Sequence, residues 1–187
     1  LYFNSLTKTL TTVRHFFGIV ALLCVFLLLG SYFIEHVLLV EPCILCTIQR
    51  VLFFLILGTC LIGLFINIFF FCKTKHCLTL TSTSILNWLC MSSTLLYSTI
   101  GMLIAGRQSW LQTFSRFSIS SCGASLHELI KQYSLITVLK MAIQGKLECS
   151  TIGMKILGLS LANWGFINFL IILFFGILVI YNQLTKN

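Results

Sequence analysis

The chain has 187 residues, 58% of them hydrophobic and 9% charged, with a mean hydropathy of +1.04. A soluble domain of this size has too little interior for so much apolar surface, so the surrounding solvent is mostly lipid. The net charge of +8 does not point to nucleic acid, because the basic residues are scattered among apolar runs and form no stripe.

Seventeen Phe and a single Pro suit helices in a bilayer rather than a barrel of short alternating strands. Leu1 to Ser5 lack an initiator Met and read as a protease-site scar, with Asn4 in place of the usual Gln, so they are left out of the expected fold. Four apolar runs, roughly 16–34, 44–71, 85–105 and 163–181, are long enough to cross a hydrocarbon core of ~30 Å. The expected fold is therefore an all-α membrane protein, a four-transmembrane-helix bundle forming one domain over 1–187. No signal-peptide cleavage pattern follows the first run, so it stays as a helix. The second run would measure ~42 Å as a helix. It overshoots the core, which puts its cysteine end at the surface.

An even number of spans places both termini on one side. The short turn between the first two spans shares the other side with segment 107–162, which is too polar to span; segment 72–84 lies with the termini. Within the long segment, Leu126, Leu129, Ile130, Tyr133, Ile136, Leu139 and Ile143 recur at three- and four-residue spacing. That stripe predicts an amphipathic helix, either lying on the membrane surface or packed on the ends of the bundle. The long-loop side holds more basic residues in total. The short loops, which weigh most, carry Lys73 and Lys75 on the terminal side and Glu35 and Glu41 on the other. The termini are therefore placed inside and the long loop outside, mainly because disulfide chemistry needs an oxidising compartment.

Nine cysteines divide by position. Cys24, Cys60 and Cys90 fall within spans, where thiols are normally inert small hydrophobes. Cys72 and Cys77 flank His76 on the inner side; as a metal site they are one ligand short and oddly spaced, and reduced bystanders are the plainer reading. Cys43, Cys46, Cys122 and Cys149 lie on the outer side. Cys43 and Cys46 form a Cys-x-x-Cys at the start of the second span, where the helix dipole lowers a thiol's pKa and makes it reactive. A structural zinc is disfavoured because Cys122 and Cys149 are 27 positions apart, not a tight knuckle. Thr47 excludes a haem-attachment motif, and no strand–helix–strand unit supports a thioredoxin fold. Two purely structural disulfides remain an alternative, although such a bridge at a helix start is often labile.

Arg50 stands one turn beyond Cys46, at i+4, on the same helix face and ~6 Å deeper. A cation there opposes the helix dipole and is costly in lipid. It either snorkels to headgroups or stabilises negative charge on the Cys46 thiolate or on a reduced carrier.

The segments His36-Val37-Leu38-Leu39, Pro42-Cys43-x-Leu45-Cys46 and Gln49-Arg50 together resemble the first outer turn and second span of the DsbB family, bacterial inner-membrane quinone-dependent thiol oxidases. Ala105 to Gln112 resembles the end of its third span, Ser121 to Leu126 and Gly145 to Cys149 its two loop-cysteine segments, and Leu157 to Trp164 the approach to its fourth. The resemblance implies a multi-pass protein of the bacterial inner membrane with cytoplasmic termini and segment 107–162 as a periplasmic loop. It implies that Cys122 takes the attack of a reduced DsbA-like periplasmic thioredoxin-fold protein, and that Cys149 is its loop partner and then exchanges with Cys43. By the same resemblance the Cys46 thiolate contacts a quinone, ubiquinone or menaquinone, which respiration reoxidises. Arg50 and Gln108 are the implied quinone-binding residues, and no metal is expected. Gln108 stands where many family members carry His; it can donate a hydrogen bond but cannot gain a proton. A vitamin-K-epoxide-reductase-like enzyme is the alternative, but its Cys-x-x-Cys is expected near the last core span. A non-catalytic membrane protein with static disulfides or zinc is the other.

Overall fold

With no water to satisfy backbone groups in hydrocarbon, each span must close its own hydrogen bonds as a helix. A computed structural model describes the backbone of residues 2–37, 44–73, 78–114, 137, 155–156 and 159–185, with side chains over 13–37, 45–68, 85–110, 137 and 160–185. It contains helices α1 (Tyr2–Val37), α2 (Ile44–Lys73) and α3 (Leu78–Phe114), then the two-residue strands β1 (Lys155–Ile156) and β2 (Leu159–Ser160), then helix α4 (Leu161–Leu184). All four helices carry stretches long and apolar enough to cross a membrane, namely Val13–Val37, Leu45–Ile68, Ile85–Trp110 and Leu161–Leu184. The chain is an all-α, multi-pass, four-helix membrane protein. Its only strand pairing among the described residues is the antiparallel β1–β2 contact, with Lys155 opposite Ser160, just ahead of α4.

Two boundaries depart from the sequence expectation. The third span was expected to end near Ala105, with a polar loop from 107; instead α3 runs on to Phe114. Hydropathy drops at Arg107 and Gln108, yet helical periodicity turns Arg107 outward and buries Gln108. A buried partner for Gln108 removes the reason to end the helix there. The other departure is at the start, where α1 takes in residues 2–5. Cys43, Cys77, Cys122, Cys149 and the stripe from Leu126 to Ile143 lie outside the described residues.

The helices are apolar outside and mixed inside. Leu22, Phe26, Phe65 and Leu103 point outward, while Gln49, Asn67, Thr94, Ser98 and Gln108 are buried. On α3 the buried positions include Met91, Thr94, Ser98, Gly101, Ala105 and Gln108, a three-four alternation that gives a nearly straight seam. The α3 helix packs most heavily on α4 and α2, and α1 lies on α2 with a smaller contact to α4.

Small residues let the backbones approach closely. Phe169 of α4 sits where a Cβ on Gly101 would be. Its ring stacks on Phe53 of α2, centroids 4.2 Å apart and planes 7° apart, and its carbonyl accepts from Ser98 Oγ at 2.7 Å. Three helices are thus fastened at one level. Elsewhere, Thr59 and Thr94 hydroxyls meet at 3.1 Å, and Asn67 and Asn87 bond reciprocally at 2.9 and 3.2 Å. Cys24, Cys60 and Cys90 are buried in the core.

Candidate redox site at one end of the bundle

The start of α2, the end of α3, the start of α4 and the end of α1 meet at one mouth of the bundle. Ser160 caps α4, its hydroxyl accepting from the Asn163 N–H at 3.4 Å. Asn163 Oδ1 in turn accepts from Ser109 Oγ of α3. This contact fixes the first turn of α4 beside the last turns of α3, which places Gly165 next to α2.

Successive positions of α2 then face different neighbours. Cys46 is half-buried and faces α3, where Gln108 Nε2 donates to its Sγ at 3.2 Å. Gln49, buried and about 60° around the helix on the α4 side, donates through Nε2 to Gln108 Oε1 at 2.8 Å. Its Oε1 lies over Gly165, 2.5 Å from where a Cβ would stand, so any other residue at 165 would displace it. Arg50 turns the other way, toward α1. It pairs through Nη1 with Glu35 and donates through Nη2 to the Ser31 carbonyl at 3.2 Å.

Arg50 also closes one end of a partly open apolar groove between α1 and α2, of about 350 Å³, lined by Val25, Leu28, Leu29, Tyr32, Phe54 and Leu57. An apolar ligand with a polar, acceptor-rich head fits the chemistry of this groove: hydrocarbon along its length and a guanidinium at one end. One turn deeper than Gln49 and Gly165, the Phe53–Phe169 stack gives the polar layer an apolar floor.

Of the residues singled out in the sequence, Cys46, Arg50 and Gln108 are described. Cys46 and Gln108 are brought into direct contact, and Arg50 is one turn deeper on the neighbouring face. Cys43, Cys122 and Cys149 are outside the described residues. Three contributors carried no assigned role in the sequence: Gln49, Glu35 and Gly165. A signal for Glu35 existed. Arg50 is the only charged residue in segment 44–71, and an intramembrane cation calls for an acid at its own depth. For Gln49 and Gly165 no local spacing pointed to α3 or α4.

The fold and this mouth define a four-helix membrane protein with a thiol held at one end of its bundle by a buried amide. Residues 13–179 match the family model described as DsbB, disulfide bond formation protein DsbB. The chain belongs to that family, and with it to the proteins of disulfide bond formation. Similar relatives are named "Disulfide bond formation protein B" in Polaromonas sp. (strain JS666), 32% identical over 89% of this chain and 90% of the relative, and in Marinobacter nauticus, 29% identical over 94% and 96%. "Disulfide bond formation protein B 1" of Pseudomonas aeruginosa is 28% identical over 90% of this chain and 94% of its own length.

Proposed function

We propose that the chain reoxidises a periplasmic DsbA-like thioredoxin-fold protein and delivers the electrons to a membrane quinone. The observation that carries the reading is the Cys46 sulfur held by Gln108 at the bundle mouth, one turn from the Arg50 groove. Cys122 and Cys149 form the outer disulfide and Cys43 and Cys46 the inner one. A partner thiolate attacks the Cys122 sulfur, and Cys149 leaves as thiolate. The second partner thiol then displaces Cys122, which completes a disulfide in the partner and leaves Cys122 and Cys149 reduced. Cys149 attacks Cys43 and expels Cys46 as thiolate; Cys122 then displaces Cys43, restoring the outer disulfide and leaving the inner pair reduced. Each exchange is favoured by a stable leaving thiolate. Cys46 gains that stability from the helix start and from the Gln108 donor.

A bound quinone would supply a two-electron, two-proton acceptor that stays in the bilayer. Arg50 and Gln108 would hold its polar head beside Cys46, and the apolar groove would take hydrocarbon. In this reading the site faces the periplasm and the termini the cytoplasm, in the bacterial inner membrane.

The test is anaerobic mixing of purified protein, reduced thioredoxin-fold partner and ubiquinone or menaquinone, with quinol followed by absorbance. Stoichiometric quinol is expected with one of them. In Cys149→Ala the Cys122 thiolate is expected to attack the disulfide of the oxidised partner, one partner cysteine leaving as thiolate, and to be recovered as a partner adduct on Cys122. An adduct that persists when Cys122 is also replaced would overturn that assignment.

A further inference from the structure

The sulfur of Cys46 receives its hydrogen bond from a carboxamide, and a carboxamide has two ends. Gln108 can present either its NH2, which stabilises a thiolate, or its oxygen, which repels one. Something must choose between them. Gln108 is 1% exposed, so water does not make that choice freely, and its Oε1 accepts from Gln49 Nε2 at 2.8 Å. Gln49 is itself buried, with its oxygen turned over Gly165, where the missing side chain leaves room. In this arrangement the donors run from Gln49 to Gln108 to Cys46.

We propose that Gln49 is a positioning residue for the thiol chemistry: it locks the Gln108 carboxamide so that its N–H, not its oxygen, faces Cys46. This rests on the reading of Cys46 as the working thiolate. Neither amide can gain or lose a proton in the working range, so the donor facing Cys46 is present at every pH at which the thiol is used. The ionisable groups at this mouth among the described residues, besides Cys46, are Tyr32, Glu35 and His36 on α1, Arg50 on α2, Arg107 on α3 and Lys155 on β1; the first turns of α4 carry none.

The test uses the full chain with Cys43→Ser, which keeps Cys46 as a thiol, and requires neither quinone nor partner. The pH dependence of Cys46 alkylation is read by peptide mass spectrometry. Hydrogen bonds to charged groups are worth enough that losing the oriented donor should leave about tenfold less thiolate at neutral pH. Gln49→Leu is expected to cause that loss when Gln108 is present and to add nothing once Gln108→Leu has removed the donor. Gln49→Glu keeps the size and, when ionised, cannot donate, so it is expected to reduce the thiolate at least as much. An alkylation profile unchanged in both Gln49 variants overturns the proposal, as does an equal effect of Gln49→Leu with and without Gln108. Failure of wild-type protein to reduce any quinone would instead count against the function proposed above, and would leave this profile untouched.

Discussion

Replacing Glu35 by Gln should separate the charge of the Arg50 partner from its shape. The amide fills the same space and still accepts a hydrogen bond, so only the ion pair is lost. Two opposite charges ~4 Å apart attract by about 4 kcal/mol at an effective dielectric of 20. The two side chains are 22% and 31% exposed. Screening and the desolvation of both ions reduce the net coupling to about 1–2 kcal/mol. The guanidinium also keeps the Ser31 carbonyl, 3.2 Å away, when Glu35 is changed. The assay is reversible unfolding in mixed detergent micelles for Glu35→Gln, Arg50→Met and the double variant. Each single change is expected to lower stability, and the double to cost about 1–2 kcal/mol less than their sum. Strict additivity, within about 0.3 kcal/mol, would show that the ion pair adds nothing to stability and would refute this reasoning.

Gly101→Ala should drive a methyl group into the Phe169 ring, which Phe53 prevents from retreating; the thermal midpoint should fall with a loss of about 1–3 kcal/mol, and Phe169→Leu in the same chain should restore part of it. Replacing Cys24, Cys60, Cys72, Cys77 and Cys90 together by Ala should leave disulfide-forming turnover within about tenfold of the parent, or ~1.4 kcal/mol in barrier. A larger loss with normal folding would reveal a further working thiol.

The four helices were legible because lipid imposes one rule on every span: a long apolar run with its backbone satisfied internally. The core cysteines were legible for the same reason. Helix α3 beyond Ala105 was not, since hydropathy counts Gln108 as a polar loss and is blind to the Gln49 carboxamide 59 positions earlier that satisfies it. Arg50 stood out by charge alone, but its partner did not. Glu35 was counted as a loop charge because the apolar run stops at Ile34, one residue short of it. Gly165 illustrates the third kind of gap. A glycine in a span reads as general helix-packing material, and only the placement of Gln49 gives it a specific tenant.

The stacked rings of Phe53 and Phe169 divide the polar interior of the bundle into two layers. Between Ser98 and Gln108 the buried residues of α3 are Gly101 and Ala105 alone, over ~15 Å of helix. Among the described residues, the buried face of α3 therefore carries no hydroxyl or amide side chain between Ser98 and Gln108. The polar layer at the mouth and the hydroxyl layer around Ser98 are thereby kept apart by apolar packing, so a change in one of them need not propagate to the other.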